Sequence, residues 1–308
     1  MIQSQISPYW VSLRPQQWTK NLIVFAAPLF GFAITIDALV GSLLAFGLFC
    51  ALSSGFYVVN DILDVAADRR HPLKCRRPIA SGRIPLEVAW GLAIVLLGCS
   101  VTTGWFFSTG LGATLTAYAA LQVAYNFKLK HTVILDVIAI ATGFVLRAAG
   151  GAAATHILLS PWFLLCTAML ALFLAVEKRK AELRLQMSEG TTRTVLRHYS
   201  FSLLGRMEYT VTAGTVVTYA LWSSGPKIQG ASTPWMMLTL PFVLYGVFRY
   251  QLLSDPRQGE EKDNAPSTKL TERPEEVLLK DGPMLCTVVG WSLTVFIILW
   301  LKQSNLLM

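Results

Sequence analysis

Repeated apolar runs constrain this 308-residue chain more than any other feature of its sequence. A run of roughly 20 apolar residues crosses the hydrocarbon core of a bilayer as a helix. The chain is 54% hydrophobic and only 14% charged, against about 25% charged residues in a soluble domain. The sequence therefore predicts an all-α integral membrane protein. Its nine expected helices lie at about 21–36, 38–60, 86–107, 111–127, 132–153, 160–177, 205–223, 235–252 and 283–301.

Lysine and arginine are distributed unevenly between the two ends of these helices. If the nine spans are right, 23 of the 26 basic residues lie on one face, in the N-terminal segment and four loops. Cytoplasmic loops of membrane proteins carry such an excess. We therefore predict a multi-pass protein with the N-terminus in the cytoplasm and the C-terminus on the opposite side. The four cytoplasmic loops are expected at about 61–85, 128–131, 178–204 and 254–282.

The net charge and the cysteines narrow the class of protein further. A formal charge of +8 could indicate nucleic acid, but the basic residues flank the expected spans and are better explained by topology and by anionic headgroups or substrates. The five cysteines lie mostly within apolar runs without paired spacing, which supports neither a disulfide framework nor a zinc site. We expect no signal peptide, because Arg14 and Lys20 precede the first apolar run and no small-residue cleavage site follows it. We interpret residues 1–308 as a single transmembrane domain.

The segment YVVNDILDVAADRRHPLKCRRPIASGR, residues 57–83, places three aspartates and six basic residues at the mouth of a predicted helix. Asn60, Asp64 and Asp68 recur every four residues, and Asp61 lies three residues before Asp64, so a continuous helix places all four on one face. Stacked carboxylates repel one another unless a cation lies among them, and Mg²⁺ binds one or two carboxylates together with substrate phosphate oxygens. We interpret the segment as a magnesium–diphosphate site. A solvated arginine–carboxylate network is the alternative.

The stretch NDILDVAAD resembles the N-D-x-x-D-x-x-x-D motif of the UbiA superfamily of membrane prenyltransferases, and RPIASG is similar to the element that follows that motif. Within the superfamily, the chain most resembles the decaprenyl-phosphate phosphoribosyltransferase branch. Stretches similar to that branch cover the chain nearly end to end, among them LRPQQWTKNLIVFAAPLF, FKLKHTVILDV, LCTAMLALFLAVEKRKAEL and PEEVLLKDGPML.

This resemblance implies a ring of nine helices around a central cavity that opens to the cytoplasm, in a bacterial plasma (inner) membrane. It implies Mg²⁺ as cofactor and the lipid bilayer as surroundings. The implied reaction moves a 5-phosphoribosyl group from phosphoribosyl diphosphate to a polyprenyl phosphate and releases diphosphate. The alternative is transfer of a prenyl group from its diphosphate to an aromatic or quinone-precursor acceptor. A transporter of phosphorylated solutes ranks below both, because we find no convincing inverted repeat.

The segment EKRKAELRL, residues 177–185, departs from the wider superfamily. Aromatic prenyltransferases usually carry a second aspartate-rich motif at this position, whereas this segment contains two glutamates, four basic residues and no aspartate. A more cationic site suits the additional phosphates of phosphoribosyl diphosphate and polyprenyl phosphate, which favours the phosphoribosyl branch. The alternative is that these lysines and arginines only determine topology.

Arg147 lies about halfway along the fifth expected helix, where a charge is costly unless it faces a wet cavity or a partner. We favour a position lining the cavity. Asp136 lies eleven residues earlier on the same helical stripe, so a structural Arg–Asp or Arg–carbonyl contact is the alternative. Asp281 precedes the last expected helix, and we expect it to cap that helix and not to act in catalysis.

The expected site residues come partly from these patterns and partly from the resemblance. Asp61, Asp64 and Asp68 are the expected catalytic residues and, with Asn60, the expected magnesium ligands. The expected substrate-binding residues are Lys20, Asn21, Asn60, Lys74, Arg77, Tyr125, Lys130, Arg147, Lys178, Arg179 and Glu182.

Overall fold

The computed structural model describes residues 7–32, 35–189, 194–255, 277, 280–304 and 306. Within these ranges the chain forms helices and no β-strand, so the predicted all-α fold is confirmed. Among the described residues, six helices are long and apolar enough to cross a membrane, and they coincide with six of the nine expected spans. The other three spans and the central cavity stay predictions. The six lie at Ile36–Leu63, Leu86–Phe107, Leu135–Thr155, Pro161–Leu185, Pro234–Leu253 and Gly282–Gln303. Most of the loop expected at 254–282 falls outside the described residues.

Eleven α-helices follow one another through the described residues. They are α1 (Pro8–Leu13), α2 (Ala26–Gly31), α3 (Ile36–Leu63), α4 (Val65–Arg70), α5 (Leu86–Phe107), α6 (Thr109–Phe127), α7 (Leu135–Thr155), α8 (Pro161–Glu189), α9 (Phe201–Ser223), α10 (Leu240–Leu253) and α11 (Gly282–Gln303). The longer 3₁₀ segments lie at Pro15–Phe25 and Pro234–Thr239, and shorter ones at Lys74–Arg76, Leu129–His131, Thr194–His198 and Pro226–Ile228.

The first expected helix, at 21–36, is irregular. The chain runs as a 3₁₀ helix over Pro15–Phe25 and becomes α-helical only from Ala26 to Gly31. Proline is tolerated only in the first turn of an α-helix because it has no amide hydrogen to donate, and α2 accordingly begins two residues before Pro28. In contrast, α8 continues well past its expected end at residue 177, to Glu189.

The described helices form two compact units. The first comprises the described residues within 1–29, 33–127 and 146–158, and the second those within 30–32, 128–145 and 159–308. The core of the first unit brings Phe49 of α3 against Tyr118 of α6, with ring centroids 5.6 Å apart. The C-terminal part of α7 approaches this core closely, because Gly151 lies directly against the backbone of Val24.

A second apolar cluster in the first unit anchors the acidic motif. Val58 and Ile62 of α3 pack with Ile79 and Ile84, two buried residues of the segment that follows α4. This burial holds the connection between α4 and α5 against α3, so apolar contacts determine where the charged segment 57–83 lies.

The second unit contains α8, α9, α10 and α11. Asp281 caps α11, as the sequence predicts: its Oδ1 accepts a hydrogen bond from the amide of Met284 at 2.9 Å. The carboxylate also accepts two hydrogen bonds from the guanidinium of Arg249, from Nε to Oδ1 at 3.2 Å and from Nη2 to Oδ2 at 2.9 Å. These hydrogen bonds, with the Met284 amide, hold the pKa of Asp281 below its ordinary value.

We expect Gly151→Ala to lower the free energy of unfolding by about 1–3 kcal/mol, the usual cost of overpacking. A Cβ atom at this position would meet the carbonyl group of Val24, which is backbone and cannot rotate away. Thermal unfolding in detergent measures the effect. Gly98→Ala is the matched control, since it lies in α5 with no atom near its Cβ position and should leave the midpoint unchanged or slightly higher.

We expect Asp281→Asn to lower the unfolding midpoint at pH 7 and to have less effect in acid. Asparagine still caps a helix, so the substitution removes mainly the charge that pairs with Arg249. A carboxyl whose pKa is lower in the folded state stabilises the protein above its unfolded pKa of about 3.9, and this contribution disappears as the pH falls through the folded pKa. Unfolding midpoints of both proteins between pH 3 and 8 test this. A difference that persists undiminished at pH 3 would contradict it.

Candidate functional site

The acidic motif, residues 60–68, spans the end of α3 and the first four residues of α4. The expected continuous helix is interrupted, because α3 ends at Leu63 and Asp64 has φ −90° and ψ 3° before α4 begins. The amide of Asp64 still donates to the carbonyl of Asn60 at 2.9 Å, and that of Asp68 to the carbonyl of Asp64 at 2.8 Å. The four-residue spacing of the motif is therefore retained across the break.

Asp61 and Asp68 converge on one cationic side chain. Nη1 of Arg77 lies 3.1 Å from Oδ1 of Asp61 and 2.7 Å from Oδ2 of Asp68. Both aspartates are only 3% exposed, so they would repel each other strongly without a nearby positive charge. The structure thus brings together three of the residues expected to form the site, as an arginine–carboxylate cluster.

Arg14 completes this cluster and is absent from the residues predicted to form the site. Its Nη2 lies 2.5 Å from Oδ1 of Asp61, and its guanidinium lies over the ring of Tyr57, 5.0 Å from the centroid. Arg14 occupies the turn between α1 and the 3₁₀ helix that follows, with φ of 52°. In the sequence Arg14 is simply a basic residue before the first apolar run, which is also what a topological charge looks like.

Asn60 and Asp64, the other two expected metal ligands, form a hydrogen bond with each other. Nδ2 of Asn60 donates to Oδ2 of Asp64 at 3.1 Å, and both residues are half-buried. Within the described residues, no group of three or more His, Cys, Asp or Glu side chains lies together in a way that could hold a metal ion. Lys74 is exposed on the segment that follows α4.

The donor set nevertheless fits magnesium. Two carboxylates already surround one cationic nitrogen, so a cation can be accommodated where their oxygens converge. Mg²⁺ in phosphate-handling sites typically takes one or two carboxylates and completes its shell with water and substrate oxygens. A pair of aspartates, and not a full cage, is what such a site requires.

Asn21 and Arg147 belong to a buried polar cluster in the first unit. Arg147 Nε donates to Oδ1 of Asn21 at 2.6 Å, and Nη2 donates to the hydroxyl of Tyr118 at 2.7 Å. The guanidinium also lies 4.6 Å from the centroid of the Tyr118 ring. Asn21 in turn donates to Sγ of Cys50 at 3.2 Å. The structure thus brings together two expected site residues, with polar and aromatic groups compensating the buried charge.

Asp136 contacts another arginine in the second unit. Arg179 Nε donates to Oδ2 of Asp136 at 2.8 Å, and Tyr199 donates its hydroxyl proton to Oδ1 at 2.6 Å. The same arginine forms an ion pair with Glu182. Burial and the hydrogen bond to Asp136 raise the pKa of Tyr199, so this hydroxyl keeps the proton that it donates. The alternative of an Arg147–Asp136 contact is therefore replaced by an Arg179–Asp136 pair.

The burial of Arg179, at 1% exposure, favours a structural role for a residue that we expected to bind substrate. Lys180 is engaged in the same way: its Nζ lies 3.1 Å from Oε1 of Glu177 and 2.5 Å from Oε2 of Glu208. Much of the positive charge in the segment 177–185 therefore neutralises carboxylates on α7, α8 and α9.

The remaining expected residues lie on separate elements. Lys20, in the 3₁₀ helix Pro15–Phe25, donates to Oε1 of Gln17 at 2.5 Å. Tyr125 is half-buried in the last turn of α6, Lys130 in the 3₁₀ helix Leu129–His131, and Lys178 in α8.

Membrane-length helices together with paired aspartates beside a basic segment define a class of helical membrane proteins with a buried acidic motif. The chain belongs to the UbiA prenyltransferase family, whose model matches residues 21–269. The family resemblance inferred from the sequence is confirmed.

The sequence is similar to those of two relatives over most of their length. The chain is 36% identical over 299 residues to decaprenyl-phosphate phosphoribosyltransferase of Mycolicibacterium smegmatis, covering 92% of this chain and 90% of the relative. It is 37% identical over 291 residues to the enzyme of the same name from Corynebacterium glutamicum, covering 91% and 83%. The fold is similar to that of a UbiA homolog from Archaeoglobus fulgidus bound to GPP and Mg²⁺, with a TM-score of 0.69 at 20% identity over 95% of this chain and 99% of the homolog.

We expect Arg179→Gln to destabilise the protein by about 3–5 kcal/mol, because it leaves the buried carboxylate of Asp136 without its positively charged partner. Thermal unfolding in detergent measures the loss. Arg206→Gln in α9 is the matched control: Arg206 is exposed, and its contact with Ser202 lies at the surface. Equal stability of the two variants would contradict a structural role for Arg179.

Proposed function

We propose that this protein transfers a 5-phosphoribosyl group from phosphoribosyl diphosphate to a polyprenyl phosphate and releases diphosphate. The observation that carries the proposal is the sequence identity to two enzymes named decaprenyl-phosphate phosphoribosyltransferase, which extends over more than nine-tenths of the chain. The buried aspartate pair beside a basic segment supports it, because that arrangement suits a donor whose leaving group is diphosphate.

The proposed setting is the bacterial inner membrane, with residues 1–308 acting as one transmembrane domain. The proposal includes nine spans around a central cavity open to the cytoplasm, a cytoplasmic N-terminus and a C-terminus on the other side. The excess of lysine and arginine in the predicted cytoplasmic loops supports this orientation. An acceptor with a long polyprenyl tail accounts for an enzyme within the bilayer, since the tail needs an apolar surrounding while its phosphate needs water or cations.

Asp61 and Asp68 would hold magnesium. Asp64 and Asn60, which belong to the same motif, remain proposed as further ligands. When bound, Mg²⁺ would neutralise charge on the leaving diphosphate. Arg77 lies against both carboxylates and Lys74 is exposed nearby on the same segment, so both would offer hydrogen-bond donors to phosphate oxygens. Lys20, Tyr125, Lys130 and Lys178 remain proposed substrate contacts on the family resemblance.

The reaction breaks the bond between the anomeric carbon of ribose and the diphosphate oxygen, and the electron pair leaves with diphosphate. A new bond forms between that carbon and an oxygen of the polyprenyl phosphate. Positive character develops on the ribose while negative charge grows on the leaving group. Cationic side chains positioned around the diphosphate lower the barrier by stabilising that charge as it develops.

A second reaction, prenyl transfer to an aromatic or quinone-precursor acceptor, is the alternative. The fold similarity to a homolog bound to GPP favours it, since that ligand is itself a prenyl diphosphate. Against it, the segment 177–185 lacks the second aspartate-rich motif expected of aromatic prenyltransferases.

Purified protein in detergent with magnesium should label polyprenyl phosphate from labelled phosphoribosyl diphosphate. It should give no product from labelled prenyl diphosphate and 4-hydroxybenzoate. Asp68→Asn should lower the first activity by on the order of 10²-fold, as expected when a group stabilising developing charge is weakened. Asp37→Asn, an exposed change in the first turn of α3, is the control and should retain activity.

Product from the prenyl pair alone would overturn the assignment in favour of prenyl transfer. Near-normal phosphoribosyl transfer by a folded Asp68→Asn protein would count against the role given to the aspartate pair.

A further inference from the structure

The arginines that contact the aspartate pair are more exposed to solvent than the carboxylates. The side chains of Asp61 and Asp68 are 4% and 5% exposed, whereas those of Arg14 and Arg77 are each 29% exposed. The carboxylates are therefore held by packing, and the guanidinium groups are the partners that can move into solvent.

The oxygen Oδ1 of Asp61 is already saturated. It accepts from Arg14 Nη2 at 2.5 Å and from Arg77 Nη1 at 3.1 Å, and a carboxylate oxygen has two lone pairs to offer. A metal ion can bind this oxygen only if at least one of the arginines leaves it. The arginines and the metal therefore compete for the same atom.

The backbones of the two arginines are tied down, so only their side chains can reorient. The carbonyl of Leu13, next to Arg14, accepts a hydrogen bond from Ser54 at 2.8 Å, and the carbonyl of Arg14 accepts one from the amide of Gln17 at 2.9 Å. Arg77 is followed by the buried residues Pro78 and Ile79. A released guanidinium remains beside the carboxylates and can reach an anion that binds there.

We propose that Arg14 and Arg77 are exchangeable counter-ions of the aspartate pair. They neutralise Asp61 and Asp68 while the site is free, and they transfer to phosphate oxygens when a metal-bound diphosphate occupies the carboxylates. The planar guanidinium fork suits both partners, since it matches carboxylate and phosphate oxygens equally well. This inference rests on the proposed function, because it takes the aspartate pair as the place where diphosphate is held.

The exchange makes metal and diphosphate binding cooperative. Metal alone must displace arginines that then find no anion, so it binds weakly. Diphosphate arriving with the metal gives the displaced arginines a partner. Such coupling acts in both directions, so each ligand strengthens the binding of the other.

The test is equilibrium binding to the full chain in detergent, with Mn²⁺ as the metal probe followed by electron paramagnetic resonance and with inorganic pyrophosphate as the anion. Arg77→Gln and Arg14→Gln should each bind Mn²⁺ alone on the order of tenfold more tightly than the unmodified protein, because a competing charged hydrogen bond is removed. Both should bind pyrophosphate in the presence of Mn²⁺ on the order of tenfold more weakly.

Arg70→Gln is the matched control. Arg70 lies in α4, is exposed and contacts the carbonyl of Ala66, so its loss changes the net charge equally without touching the aspartate pair. Its Mn²⁺ affinity should change by less than about twofold at 0.15 M salt, where exposed charges are screened. If Arg77→Gln does not fold, Arg14→Gln carries the test alone and should still bind Mn²⁺ more tightly than the unmodified protein.

Opposite changes in Mn²⁺ and pyrophosphate affinity support the exchange. Unchanged or weaker Mn²⁺ binding in folded Arg14 and Arg77 variants overturns it, as does an equal gain in the Arg70 control. Because neither measurement involves turnover, exchange with no phosphoribosyl product would contradict only the proposed function. Product formation without exchange would contradict only this inference.

Discussion

The convergence of two buried carboxylates on one guanidinium is the interaction on which the proposed chemistry depends. Asp61 and Asp68 lie on either side of the break between α3 and α4, and Arg77 joins them across the segment that follows. Charges this poorly solvated are stable only when they are paired and hydrogen-bonded. The site is therefore held in a neutralised form by groups that are themselves suited to phosphate.

The same rule governs the rest of this apolar chain, where each buried charge in the described residues is met by a polar or charged neighbour. Arg179 pairs with Asp136, Lys180 lies between Glu177 and Glu208, and Arg147 contacts an asparagine amide and a tyrosine. Pairs of this kind contribute little net stability compared with apolar packing, but removing one partner is costly. Basic residues that look like substrate ligands in the sequence can therefore be structural.

The acidic motif, the helical class and the family could be predicted from the sequence, because each depends on the spacing of residues that are close together in the chain. Apolar runs of membrane length predict helices, and aspartates three or four residues apart predict a shared face. The ends of elements were less predictable. Pro28 limits how early α2 can begin, and α8 continues past its expected end to Glu189. Arg179 and Lys180, just beyond that expected end, pair with carboxylates on neighbouring helices. Arg14 was missed as a site residue, since nothing in its local sequence distinguishes it from a topological charge.

The sequence by itself determined that this protein is helical, suited to a membrane and equipped with an acidic motif of regular spacing. Only the tertiary structure decided which charge pairs with which. Arg14 meets Asp61 across 47 residues of chain, and Arg179 meets Asp136 across 43. Such partners are brought together by helix packing, which depends on apolar contacts along the whole length of the helices, so no spacing rule within one segment can specify them.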